Sequence, residues 1–143
     1  MPVSLRNKQR LHKVATPRLK KLAQRVLDLL NTGDDDLSLV LVDEAAIRQL
    51  NRQFHATDAS TDVLAFDYGD GHGEVIVSVE RAVVVAKRYR NTPSRELALY
   101  IVHGILHLHG HDDLTPGKRR QMRQAESRLL ASLGRDSAFL FTR

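Results

Sequence analysis

Hydrophobic residues in the first half of the chain recur with two spacings, which predict helices and strands in alternation. A weak alternation over residues 3–6 and a short apolar run over 37–42 predict two strands. Between them, residues 16–33 carry apolar side chains every three or four positions, which predicts a helix with Pro17 in its first turn. A second helix is expected directly after Asp43, because aspartate is a common capping residue.

The second half of the chain predicts a pair of strands followed by three helices. The strand candidates are 62–66 and 74–78, and the glycine-rich linker between them indicates an antiparallel pair with a connection longer than the tightest hairpins. Helices are expected over 79–89 and 92–110, and from Thr115 onward. The middle helix is apolar around much of its circumference, so we expect it to be buried.

This order of elements predicts an α+β fold. We expect a small mixed sheet of about four strands packed by about five helices, with the chemistry at the end of the central buried helix. The chain has 143 residues and shows neither an internal repeat nor an interdomain linker. Residues 1–143 are therefore expected to form a single domain.

The composition excludes several classes of protein. Hydrophobic residues at 42% and charged residues at 27% are typical of a globular fold and exclude disorder. The apolar runs are too short for a bilayer and no secretory signal is visible, so we expect a cytoplasmic protein with no membrane partner. No cysteine is present, which leaves His, Asp and Glu as the strong metal ligands.

The charge distribution has two interpretations. The net charge is +5, and Arg and Lys are dense over residues 6–25 and 118–120. Such runs are typical either of solvated helix faces or of a surface that binds nucleic acid. Aromatic residues make up only 5% of the chain and form no stripe along it of the kind that stacks on single-stranded bases.

Histidines concentrate at the end of the predicted central helix. Four of the seven lie between positions 103 and 111. His103 and His107 are four residues apart, so they share one helix face and can hold one metal ion. The structural alternatives are a hydrogen-bonded pair inside the core and a chance pair on a solvated face. His109 points to the other side of the helix, so we do not expect it to be a ligand.

The residues after the helix supply candidates for a third ligand. Gly110 can end the helix in a left-handed turn that returns the chain toward the histidine pair. Asp113 and His111 both follow this turn, and Asp113 has the better spacing whereas His111 is chemically the better ligand. Three protein ligands would leave a fourth position open for water or substrate, as in catalytic zinc sites.

Gly104 argues against one class of hydrolase. In His-Glu-x-x-His metalloproteases, the residue after the first histidine is the glutamate that deprotonates water. Gly104 has no base to offer, so peptide hydrolysis by that route is not expected. Its small size would instead permit another group to approach the metal closely.

The segment 103–113, His-Gly-Ile-Leu-His-Leu-His-Gly-His-Asp-Asp, resembles the signature His-Gly-x-Leu-His-Leu-x-Gly-Tyr-Asp-His of the YbeY family, the bacterial rRNA-maturation endoribonucleases. The similarity extends to Leu50-Asn51, to Ser60–Phe66 and to Gly73–Ser78. The resemblance implies the family's α+β fold, one Zn²⁺ ion, a cytoplasmic location and a role in processing ribosomal RNA.

Three departures from the family pattern affect the expected site. Asp113 stands at the position of the third histidine ligand, and His111 replaces the tyrosine as a spare ligand. The family arginine that contacts the phosphate falls on His55. A protonated histidine can still donate to a phosphate oxygen, although it lacks the bidentate fork of arginine.

These observations lead to one principal hypothesis. We expect a zinc-dependent, single-strand-specific endoribonuclease in 16S rRNA 3′-end maturation and ribosome quality control. His55 would be catalytic, and His103, His107 and Asp113 would hold the metal. The expected partners are ribosomal RNA and small-subunit components, with no DNA, and the oligomeric state is left open. The alternatives are a non-catalytic RNA-binding assembly factor with a structural metal, and a metal-dependent hydrolase of another substrate.

Overall fold

The computed structural model describes residues 3–55 and 62–142, except the side chain of His55. The elements follow the predicted order β, α, β, α, β, β, α, α, α. Their bounds are β1 Val3–Asn7, α1 Thr16–Leu29, β2 Asp36–Val42, α2 Glu44–His55, β3 Val63–Gly69, β4 His72–Ser78, α3 Val79–Arg88, α4 Pro93–Leu108 and α5 Pro116–Leu133, followed by a 3-10 turn at Gly134–Ser137. The predicted α+β class is confirmed.

The four strands form one mixed sheet in the order β1-β2-β4-β3. β1 and β2 are parallel, as are β2 and β4, whereas β3 pairs antiparallel with β4. Within this sheet β3 is an edge strand, and the paired register runs from Val63 opposite Val77. This edge is important because it forms one wall of the site described below.

The larger core lies on one face of the sheet, where α1, α4 and α5 pack. Alternate residues of β2 and β4 point into it, including Leu39, Leu41, Val75 and Val77, because successive strand residues face opposite sides. Helix α4 contributes most of its circumference to this core, as its apolar sequence predicts. Across the described residues, no helix combines the length and the apolar character needed to cross a bilayer.

The opposite face of the sheet is only partly covered. Ile47 of α2 packs there with Val40, Val42, Leu64 and Ile76, in a second and smaller apolar cluster. α2 begins as predicted, because the Asp43 carboxylate accepts a hydrogen bond from the backbone N–H of Ala46 at 2.8 Å. The remainder of this face carries polar and aromatic side chains that stay accessible.

The connection between β3 and β4 is shorter than the sequence predicts. Pairing continues to Gly69 opposite His72, which leaves only Asp70 and Gly71 in the turn. Both turn residues have positive φ, 52° and 76°. Such values are typical of the two-residue turns that match strand twist. The expectation of a longer connection was wrong because the strands extend through the glycine-rich segment.

Gly104 allows α4 to lie close to the sheet. A Cβ atom at this position would lie 2.6 Å from Val75 Cγ1 and 3.0 Å from Val63 Cγ2. Real Cβ atoms do not approach other carbons so closely, so any larger residue would push α4 away from β3 and β4. The small size of Gly104 therefore allows close helix–sheet packing. This role is additional to the one expected from the sequence, which was to let another group approach the metal.

Replacing Gly104 with alanine should destabilise the protein, since Val75 is itself fully buried and cannot easily move. We expect a loss of about 1–3 kcal/mol in the free energy of unfolding, measured by urea denaturation. Gly117→Ala in α5 is the matched control, because nothing within the described chain lies within 4 Å of its new methyl group. Equal effects of the two substitutions would contradict this packing role.

Candidate metal centre

The last two turns of α4 present two histidines to an open cleft. His103 and His107 lie one turn apart, and their ring centroids are 5.2 Å from each other. The buried faces of α4 hold the helix in place on both sides of them. The spacing predicted from the sequence therefore places both imidazoles on one face.

A tight turn after α4 brings Asp113 back toward these histidines. Gly110 has a φ of 90°, and the backbone N–H of His111 donates to the carbonyl of Leu106 at 3.1 Å. The Asp112 carboxylate then accepts from the backbone N–H of Leu114 at 3.0 Å, and Lys118 Nζ lies 3.3 Å from it.

These contacts also affect the acidity of Asp112. The backbone N–H of Leu114, together with the Lys118 ammonium, holds the pKa of Asp112 below its ordinary value. On the far side of the turn, Arg119 Nη1 donates to the backbone carbonyl of Asp113 at 3.2 Å. The segment that carries Asp113 is thus fixed at both ends by side chains.

His103, His107 and Asp113 form a group that could hold a metal ion. One ligand atom from each lies within 4.8 Å of the others, and His107 Nε2 is 3.9 Å from Asp113 Oδ1. Two imidazoles and one carboxylate are a donor set that suits zinc. His111, the rival third ligand, is not a member of this group. The arrangement fits a three-ligand site with a further position open to the cleft.

Glu126 of α5 contacts the first of these histidines and was not identified from the sequence. Its Oε2 lies 2.5 Å from His103 Nδ1. With the carboxylate as acceptor, Nδ1 carries the hydrogen and Nε2 remains free to bind a metal, an arrangement common among metal-binding histidines. The pattern on α5 does contain a signal, because Glu126 lies on the buried face with Met122, Ala125 and Leu129.

Glu126 makes the two histidines electrostatically unequal. Burial tends to lower the pKa of His103, but the hydrogen bond and charge of Glu126 outweigh it and raise the pKa. Burial and the neighbouring His103 lower the pKa of His107, and they outweigh the opposite effect of the Asp113 carboxylate 3.9 Å away. The imidazole of His107 is therefore held in its neutral form, which is the form that binds metals.

His109 lies outside the group, as expected. Its Nδ1 donates to the backbone carbonyl of Ile105 at 2.8 Å, and its Nε2 is 2.9 Å from the hydroxyl of Thr32. Both ring nitrogens are thus occupied, and they tie the end of α4 to the loop that follows α1. His109 is a structural residue.

A cleft of about 520 Å³ opens in front of the three residues. Edge strand β3 forms one wall through Val63 and Ala65, and Asn51 of α2 forms another. Tyr100 lines the cleft, and its side chain is buried together with its hydroxyl oxygen. Burial, and then the carboxylates of Asp62 and Glu96, raise its pKa, so Tyr100 stays protonated and can donate a hydrogen bond.

The side chain of His55, the predicted catalytic residue, lies outside the described residues. His55 is the last residue of α2, and Asn51 of the same helix reaches the cleft. Asn51 and Asp62 both line the cleft.

The fold and this cleft are sufficient to indicate a class of protein. A histidine pair and a carboxylate beside an open cleft, on a rigid buried helix, are typical of metal-dependent hydrolases. Comparison with known proteins identifies the family. The model of the family described as Endoribonuclease YbeY matches residues 4–134.

Individual relatives agree with this match over nearly the whole chain. Endoribonuclease YbeY of Geobacter metallireducens is 33% identical, covering 95% of this chain and 98% of the relative. The protein of the same name from Pelotomaculum thermopropionicum is 36% identical, covering 93% and 97%. The solution structure of TM1509 from Thermotoga maritima, at 26% identity, superimposes with a TM-score of 0.65 over 94% of this chain and 88% of that one.

This chain belongs to the endoribonuclease YbeY family. It is a hydrolase that acts on RNA. The resemblance seen in the segment 103–113 is thereby confirmed.

Substituting Glu126 should weaken metal binding, because His103 would lose the carboxylate that fixes its ring and its tautomer. We expect Glu126→Ala to lower the affinity for Zn²⁺ by about 10- to 100-fold, measured by competition with a chromophoric chelator. Glu126→Gln keeps an acceptor oxygen and should lose less.

Glu96→Ala is the matched control for this experiment. Glu96 lines the same cleft, but its carboxylate accepts from Asn91 Nδ2 at 3.3 Å. Glu96→Ala should keep a zinc affinity within about twofold of that of the unaltered protein. This change is much smaller than the loss expected for a carboxylate that orients a ligand. Equal losses from Glu96→Ala and Glu126→Ala would show that Glu126 has no specific role.

Proposed function

We propose that this protein is a zinc-dependent, single-strand-specific endoribonuclease that acts in the maturation of 16S rRNA 3′ ends and in ribosome quality control. It would work in the cytoplasm on ribosomal RNA and small-subunit components, with residues 1–143 as one domain. The observation that carries the proposal is the group of His103, His107 and Asp113 at an open cleft, in a member of an endoribonuclease family.

Each residue of the centre has a proposed task. His103, His107 and Asp113 would hold the ion, which when bound supplies Lewis acidity toward a phosphate oxygen and lowers the pKa of a bound water. Glu126 keeps His103 in the tautomer that a ligand requires. Tyr100, with its hydroxyl buried and protonated, would shape the wall of the cleft.

The geometry supports an enzyme over the two alternatives. A structural zinc site is closed by four protein ligands, whereas the group within the described chain has three and faces a cleft. Gly104 leaves no glutamate beside His103 for the protease route. No observation favours the assembly factor with a structural metal, or the hydrolase of another substrate, over the endoribonuclease.

Electrostatics support an RNA substrate. α5 carries Lys118, Arg119, Arg120 and Arg123 on its exposed side. This helix begins directly after the turn that carries Asp113, so its cations lie near the proposed centre. Exposed cations in such a position attract the phosphate backbone and release its counterions.

His107→Ala should abolish both zinc uptake and RNA cleavage while the fold remains, because His107 is partly exposed and lies at the end of α4. Zinc content, cleavage of an unstructured RNA and thermal unfolding would be measured on the same preparation. A variant that still cleaves at the wild-type rate without metal would exclude the proposal.

The same assays decide the third ligand. Asp113→Ala should lower zinc affinity by about 10-fold or more, since one of three ligands is lost. His111 lies two residues away and outside the group, so His111→Ala should leave the zinc affinity close to that of the unaltered protein. The opposite ranking would identify His111 as the ligand.

His55 is proposed as a phosphate donor on the strength of the family resemblance. His55→Ala should lower kcat/KM for RNA by about 10- to 100-fold through loss of one charge-assisted hydrogen bond, with zinc affinity unchanged. His55→Arg, which restores the family residue, should retain or exceed the original rate. Unaltered cleavage by His55→Ala would remove His55 from the mechanism.

A further inference from the structure

The part of the sheet that α2 leaves uncovered forms a groove distinct from the metal centre. This sheet-face groove has a volume of about 560 Å³. The residues that matter for its chemistry are Arg6, Lys8, Phe54, Phe66, Tyr68 and Glu74. They come from β1 and the residue after it, and from α2, β3 and β4, so only the folded chain brings them together.

Three aromatic rings gather on one side of the groove. Phe66 and Tyr68 of β3 both line the groove, although the pairing with β4 shifts at a bulge between Asp67 and Gly69. Phe54 of α2 packs edge-on against Phe66, with ring centroids 5.4 Å apart and planes at 70°. Phe54 is 56% exposed and Tyr68 is 66% exposed. Rings so exposed offer flat surfaces to a ligand.

Cations lie on the other side of the groove, on β1 and directly after it. Arg6 and Lys8 are both exposed and share one face, two residues apart. Glu74 lies between the two sides, where it accepts from the Tyr68 hydroxyl at 2.8 Å and lies 3.6 Å from Arg6 Nη2. Its single carboxylate orients both partners and leaves an excess of positive charge along the groove.

Rings on one side and cations on the other match the chemistry of unpaired RNA. Single-stranded RNA presents free base faces that stack on aromatic side chains, and phosphates that bind Lys and Arg. In a duplex the bases are already stacked on each other, so the rings would have no partner. An apolar protein segment would make no use of Arg6 and Lys8.

The groove also adjoins the metal centre. Edge strand β3 lines both, with Val63 and Ala65 facing the cleft and Phe66 and Tyr68 facing the groove. Helix α2 does the same through Asn51 and Leu50. A strand of RNA that crosses the edge of the sheet at β3 would therefore contact both.

We propose that the sheet-face groove is an RNA-binding exosite that holds unpaired nucleotides away from the scissile bond. Phe54 and Tyr68 would stack on bases, and Arg6 and Lys8 would bind phosphates. The exosite rests on the endoribonuclease activity, and it would explain how a small metal centre selects single-stranded RNA.

The test measures binding separately from cleavage. Phe54→Ala and Tyr68→Ala are made in the non-cleaving His107→Ala background, and fluorescence anisotropy reports their affinity for an unstructured RNA of about 16 nucleotides. Each lost ring should weaken binding by about 10-fold, the effect of one base stack. Tyr68→Phe keeps the ring and should bind like the parent.

Tyr89→Ala is the matched control, because Tyr89 is 71% exposed and lies at the end of α3, apart from the groove. Arg6→Ala and Lys8→Ala should each reduce the slope of log affinity against log salt by about 0.7, as expected for one phosphate contact. The ring variants should leave this slope unchanged.

Cleavage assays complete the experiment in the active background. Phe54→Ala with Tyr68→Ala should raise KM for the long RNA and leave the rate on a dinucleotide unchanged. Unaltered affinity for the long RNA would overturn the exosite, as would an equal loss in Tyr89→Ala or equal affinity for a fully paired hairpin. Failure of His107→Ala to stop cleavage would instead contradict the proposed metal mechanism, which separates failure of that proposal from failure of the exosite.

Discussion

The close contact of α4 with the sheet at Gly104 is the constraint on which the rest of the site depends. With no Cβ between Gly104 and Val75, the helix approaches the sheet closely enough to be buried along most of its length. His103 precedes this contact directly and His107 follows it by less than a turn. The positions of both imidazoles relative to β3 are therefore set by packing, which keeps them rigid without help from a bound ion.

Local patterns in the sequence were sufficient for much of the fold and part of the site. Helical periodicity, capping residues and the apolar character of α4 gave the order of elements and the buried central helix. The shared face of His103 and His107 could be predicted from their spacing because both lie on one helix. Asp113 was readable because Gly110 marks a turn, and the structure brings the three residues within reach of one ion.

What the sequence did not reveal depends on contacts between distant segments. Glu126 lies on another helix, and no pattern in the neighbouring sequence indicates its contact with His103. The aromatic residues of the sheet-face groove lie on α2 and β3, and only the packing of α2 against the sheet brings them together. The length of the β3–β4 turn was predicted wrongly for a different reason. Glycine and polar residues normally end a strand, but here they continue both strands.

The hydrogen bonds of His109 affect which histidines are available to a metal ion. In the folded chain, Thr32 and Ile105 occupy both nitrogens of this ring, so it cannot compete with His103 and His107. In the unfolded chain, every histidine of the segment is available to bind zinc. Ligands that also bind the unfolded state stabilise the folded state less than their affinity implies. An ion held by His103 and His107 would therefore stabilise the fold by less than its affinity implies, and the fold itself would keep His109 from competing for it.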